Sequence, residues 1–200
     1  MNAKAAASPG DSLAQAAEAA VGRKLRLLRR SRELSLQAVA GMTGLSIGLL
    51  SQIERGLSSP SVRNLVALSN AFDVPMAWFF DEAVAADDGE DSLVVRREAR
   101  PRIAMHTTSM TKELLSPDRT RPLQTFLITV EPGGGTGEEP YSYPGEVNGY
   151  VLSGRLALWL DGRRLLLREG DSFAIPGDCP RRYGNPDPFQ PTRLIWSIAR

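Results

Sequence analysis

Two hundred residues, 42% hydrophobic and 24% charged with a formal net charge of +1, describe an ordinary globular composition with room for one large domain or two small ones. No run of about 18 apolar residues occurs, so no spanning helix is expected, and the alanine-rich start lacks the basic-then-apolar order of a signal peptide. One cysteine and one histidine exclude an internal disulfide framework, fit a reducing, cytoplasmic location, and leave too few ligands for an ordinary zinc site.

Residues 1–17 read as a disordered tail, and residues 18–80 as helical throughout. Val21, Leu25 and Leu28 recur at helical spacing. Among them stand Arg23, Lys24, Arg26, Arg29, Arg30 and Arg32, which the plainest reading leaves as a solvated face. Ser35 can cap a second helix, and Gly44 suits the left-handed residue that often ends one. Ser46 can cap a third helix that stops at Gly56. Ser61 can cap a fourth, with Val62, Leu65, Val66 and Phe72 as its inner stripe. Pro75 opens a short fifth segment ending in Trp78, Phe79 and Phe80. The expectation is a five-helix bundle.

Two short helices joined by a tight glycine turn form a helix-turn-helix. On the third helix Leu45, Leu50 and Ile53 can point inward. Ile47, Gly48, Ser51, Gln52 and Arg55 then share the opposite face, small, polar or basic. Glutamine can pair with adenine edges and arginine with guanine or phosphate. Arg55 can equally bond within the bundle. The string TGLS…LLSQIERG…SP resembles the phage-repressor-like (Xre/Cro) family over roughly residues 21 to 80. That resemblance implies that Ser46, Ile47, Gly48 and Gln52 face bases, while the second helix, through Gln37, and the following loop approach phosphates. Ser51, Arg55 and Ser61 complete the DNA-facing set. Leu36 stands where many members carry a glutamine near the backbone.

Residues 81–92 are acidic and read as an exposed linker. Beyond them, over residues 93–200, the period switches to two. LVVRRE, RIAMHTTSM, LQTFLITV, GYVLSG, RLALWL, RRLLLRE, DSFAIP and RLIWSIA are strand-like runs between turn residues. Asp161-Gly162 between two of them signals a tight hairpin. Many short strands indicate a sandwich or barrel. The segment PGGGTGEEPYSYPGEVNGYVLSG with REGDSFAIPGDCPRRYGN resembles a cupin. The resemblance implies an all-β double-stranded β-helix, or jelly-roll, barrel.

Metal-binding cupins carry two histidines, a glutamate and a further histidine. Here Tyr141, Tyr143, Val147 and Arg181 fall on those positions, and Glu146 would face the other side of its strand. The expectation is therefore no metal, no cofactor and no catalytic residue. The same residues, with Tyr150, form a candidate ligand-binding wall, in which two phenols and a guanidinium suit an anion. Two blander readings stay open. Arg181 can pair with Glu138, Glu139 or Glu146, and the tyrosines can simply fill the core. Taken together, the two resemblances imply a repressor or dual regulator of a metabolic operon that binds a pseudo-palindromic operator in double-stranded DNA as a homodimer. Its cupin would dimerise and bind a small-molecule effector, with no membrane involved. Alternatives are a cupin enzyme with an autoregulatory head, or a cupin that only dimerises.

Overall fold

The computed structural model describes residues 9–80, 93–117 and 121–199; the acidic segment 81–92, read as a linker, lies outside them. The first helix, α1, runs from Pro9 to Ser31, so residues 9–17 are helical rather than part of an unstructured tail. Proline is tolerated at a first helical turn, and the alanines that follow have the highest helix propensity. Helices α2 (Leu36–Thr43), α3 (Ile47–Glu54) and α4 (Val62–Phe72) follow. Each begins at the expected serine: the hydroxyls of Ser35, Ser46 and Ser61 accept hydrogen bonds from the amides of Ala38, Leu49 and Asn64. Gly44 ends α2 in the left-handed region, φ 71°.

The expected fifth helix is a single 3-10 turn, Met76–Phe79, so the bundle has four α-helices. Pro75 fixes its start and Phe80 leaves it in extended geometry, which leaves no length for a second turn. The helical core is built from Val21, Leu25, Leu50, Ile53, Leu65, Leu68 and Phe72, all fully buried. Helix α1 crosses α3 at Gly22, where an added Cβ would sit 2.1 Å from the carbonyl oxygen of Ile53. The glycine is what lets the two backbones approach.

The remainder is antiparallel β: β1 (Arg102–Met105), β2 (Met110–Leu114), β3 (Leu123–Val130), β4 (Glu146–Ser153), β5 (Arg155–Leu160), β6 (Arg163–Arg168), β7 (Ser172–Ile175), β8 (Arg181–Gly184) and β9 (Thr192–Ala199). They form a six-stranded sheet, β1-β2-β3-β9-β4-β7, and a three-stranded one, β6-β5-β8. The ladders thus make two sheets rather than one closed barrel. Isolated bridges, Gly135 to Gly184 and Tyr141 to Arg181, reach β8 from the loop between β3 and β4. The expected strand at LVVRRE is instead irregular with a 3-10 turn at Arg97–Ala99. Leu93 there is 81% exposed, so the alternation has no core to face. The β5–β6 hairpin turns on Asp161 and Gly162, both at positive φ (46° and 76°), with Leu160 opposite Arg163. That is the geometry two-residue hairpins favour.

The helices pack directly on the sheets. The Ser59 hydroxyl donates to the carbonyl of Ala104 (3.0 Å), and the Thr107 hydroxyl donates to the carbonyl of Ser59 (3.2 Å). Arg63 pairs with Glu139, and the rings of Phe80 and Phe126 lie 5.4 Å apart. The Met76 amide donates to the Tyr143 hydroxyl at 3.3 Å.

Candidate functional site

Helix α3 divides its residues as its period requires. Leu50 and Ile53 are fully buried, while Ile47, 48% exposed, stands in solvent with Gly48, Gln52 and Arg55. Ser51 is half-buried between the two faces. At Gly48 nothing lies within 4 Å of where a Cβ would sit, so the fold does not require glycine there. The Ser46 hydroxyl is used as the cap, which leaves the first turn of α3 open to solvent. Arg55 donates from Nε to the Ser51 carbonyl of its own helix at 3.2 Å and stays on the surface. Gln37 is exposed in the first turn of α2, and Leu36 beside it is half-buried. Ser61 is half-buried and occupied as the cap of α4, two residues after the Ser59 contact with the β-sheets.

Two of the six basic residues between Arg23 and Arg32, five of them on α1, are taken by the fold. Arg29 forms a fork on Glu54, Nε to Oε1 at 2.6 Å and Nη2 to Oε2 at 2.8 Å, and donates from Nη1 to the Leu34 carbonyl. Lys24 donates to the carbonyls of Trp78 (3.2 Å) and Phe80 (2.5 Å). Arg23, Arg26, Arg30 and Arg32 are exposed.

In the β domain Tyr141, Tyr143 and Arg181 do come together, around a cavity of about 20 Å³. Arg181 is 1% exposed and pairs with none of the described carboxylates. Its Nη1 and Nη2 donate to the carbonyls of Cys179 (3.4 Å) and Tyr143 (3.2 Å), and its Nε has no partner. The guanidinium carbon lies 5.5 Å from the Tyr141 ring centre. Burial raises the phenols of Tyr141 and Tyr183, and the Tyr183 hydroxyl has no hydrogen-bond partner.

Two members of the expected wall are placed elsewhere. Val147 is fully buried but packs in the core without lining the cavity. Tyr150, three residues on, falls on the opposite face of β4 and is 45% exposed. Odd-numbered spacing along a strand sends side chains to opposite sides.

Lys112, which the sequence reading passed over, lines the same cavity at 3% exposure. A signal was available: in MTKEL it alternates in phase with Met110 and Leu114, at an inward position of β2. The other missed residue is Met76, which enters the cavity from the helical domain. A divalent metal does not fit this lining, because the Arg181 guanidinium is a cation that offers only donors and no described carboxylate, imidazole or thiol lines the cavity with it. Elsewhere His106 is exposed, and burial first, then Asp161, push the Cys179 thiol up rather than toward a reactive thiolate. A larger open cleft beside Trp159 holds Arg182, whose guanidinium is already stacked 3.9 Å from that ring.

Comparisons with known proteins bear on both halves. Residues 25–79 match the helix-turn-helix family model, and residues 126–198 match the cupin domain model. The HTH-type transcriptional regulator PuuR of Escherichia coli is 29% identical over 166 residues, covering 83% of this chain and 88% of that protein. The HTH-type transcriptional regulator SutR of the same organism is 26% identical over 166 residues, 80% of this chain and 84% of its own. Among solved structures, an HTH_3 family transcriptional regulator from Vibrio cholerae superposes with a TM-score of 0.68 at 24% identity, covering 93% of this chain and 98% of that one.

Proposed function

The chain joins a helix-turn-helix of the Xre-like kind to a cupin domain and is a DNA-binding regulator of transcription; we propose that it reads its operator through α3 and takes a small-molecule effector in the cupin pocket. The observation that carries the operator reading is the solvent face of α3, where Ile47, Gly48 and Gln52 stand free of the fold. A helix with a small residue in its first turn can enter a major groove closely, and Gln52 has the groups to pair with an adenine edge. Ser51 at the edge of that face and Gln37 at the start of α2 extend it toward the backbone, while Arg55 and the exposed arginines of α1 supply charge for phosphates.

A single helix-turn-helix contacts few base pairs, so the protein acts as a homodimer on a pseudo-palindromic operator, in the cytoplasm and on a metabolic operon. It works as a repressor or dual regulator and not as an enzyme, a reading supported by the transcriptional regulators it resembles over most of their length. Selection of duplexes from a random pool by the full-length protein, followed by mobility shift and light scattering, tests this. A recurrent inverted repeat bound by a dimer is expected; absence of any selected sequence, or a monomer on DNA, overturns it.

A further inference from the structure

Lys112 on β2 and Arg181 on β8 meet at one small cavity, both almost sealed from solvent and neither paired with a described carboxylate. The Lys112 ammonium has the Met76 sulphur at 3.8 Å and the Phe126 ring centre at 5.8 Å. Arg181 leaves Nε unpaired, and the Tyr183 hydroxyl nearby is unpaired as well. Burying two cations together without a counter-charge is unfavourable, since each loses hydration and they repel each other. Burial, then the Arg181 guanidinium, lowers Lys112 to about 7. Arginine has no such escape and stays charged. The titratable groups facing Lys112 are Arg181 and the phenols of Tyr141 and Tyr143; its neighbour Glu113 turns away to Arg100, 3.6 Å off. A group with negative charge would satisfy what the fold leaves open.

The cavity holds about 20 Å³, room for one water. Anything larger needs one wall to move. The β-side wall is held by ladders, including the full register of β3 against β9. The helical side presents Val66 and Met76, the latter held across the seam by one hydrogen bond, from its amide to the Tyr143 hydroxyl at 3.3 Å, and by the weak sulphur contact with Lys112. The moving wall is therefore the 3-10 turn that carries Met76. That turn is tied to α1 through Lys24, and α1 lies backbone to backbone against α3 at Gly22. The loop just past α3 is itself held to the sheets through Ser59.

Building on the reading of the cupin domain as the effector site, we infer that the pocket takes the oxyanion group of a small acid, carboxylate or phosphate, between Lys112 and Arg181, and that its entry lifts Met76 and releases the DNA-binding domain from the sheets. The effector and the helical domain compete for one place. The seam between domains is then a latch, closed in the empty state.

The full-length protein is titrated with acetate, succinate, inorganic phosphate, chloride and an aliphatic diamine at constant ionic strength, following melting temperature and intrinsic tryptophan fluorescence, to which Trp196 at the cavity contributes. A carboxylate or phosphate raises the melting temperature where chloride does not, and the better of succinate and phosphate identifies the group. Lys112→Met weakens that binding about ten- to a hundredfold. Met76→Ala, which removes the lid and leaves both cations, strengthens it. No anion exceeding chloride, or an affinity unmoved by Lys112→Met, overturns the site. On a duplex selected from a random pool, saturating anion changes the operator Kd about fivefold or more, and the duplex changes anion affinity by the same factor. An unchanged Kd overturns the latch. Failure to select any duplex would instead sink the operator reading, and stabilisation by the diamine alone would keep an effector pocket while removing its anionic character.

Discussion

The ammonium nitrogen of Lys112 and the sulphur of Met76 lie 3.8 Å apart across the seam between the cupin sheets and the helical domain. A thioether is a weak acceptor, so the lysine has surrendered its hydration for little in return. The consequence is a fold that carries an avoidable penalty at its centre.

Lys112→Met should therefore stabilise the empty protein. In the folded state Lys112 sits at about 7, against 10.5 unfolded, so between those values the unfolded chain binds the extra proton. Stability of the native chain rises with pH across that window, because the unfolded state holds more protons there. The advantage of the variant is then largest below pH 7, on the order of a few kcal/mol, and fades toward pH 10.5. Urea denaturation of both proteins at pH 6, 8 and 10 checks this. A gap of constant size across the three would mean that the lysine is not titrating in this window.

Arg29→Met should destabilise the helical domain by about 3 kcal/mol. Its fork on Glu54 is nearly buried and joins α1 to the end of α3. Removing the cation strands a carboxylate where water is scarce, so adding Glu54→Gln to the first variant should recover part of the loss. A double-mutant cycle by chemical denaturation reads the coupling; additive losses would show that the pair is not energetically joined.

Gly22→Ala is expected to cost about 1–3 kcal/mol although alanine is the better helix former. The new Cβ would lie 2.1 Å from a backbone oxygen of α3, and neither helix has a side chain to swing aside. A melting temperature equal to or above that of the native chain would contradict this crossing of α1 and α3.

The helical domain was largely legible in the sequence because its signals are local. Serine caps, the left-handed glycine and the apolar stripes all act within one turn of themselves, and they set the start of α2, α3 and α4. The fifth helix failed because a four-residue segment after proline supports only a 3-10 turn. In the cupin half the motif spacing brought Tyr141, Tyr143 and Arg181 to one cavity. Motif spacing alone did not settle which face of β4 each residue takes, so Tyr150 was assigned to the wrong side. Lys112 and Met76 come from outside the cupin motif, and Met76 from the other domain. Their meeting is a tertiary event that no local pattern announces.

Gln52→Ala and Arg30→Ala should separate reading from attraction on a selected operator. Gln52 is exposed on the outer face of α3, where a side-chain amide can bond an adenine edge in two places, so its loss removes discrimination at one base position. The expected cost is about 1–3 kcal/mol on the preferred sequence and almost nothing on unrelated DNA. Arg30 is exposed on α1, outside α3, and under the proposed reading contributes charge alone. Its removal should weaken all sequences alike and lower the slope of log affinity against log salt by about one. Binding isotherms for each variant on the selected duplex and a scrambled one, at two or more salt concentrations, distinguish the two. Loss of selectivity from Arg30→Ala, or equal weakening on both duplexes from Gln52→Ala, would place the reading face on a different helix surface.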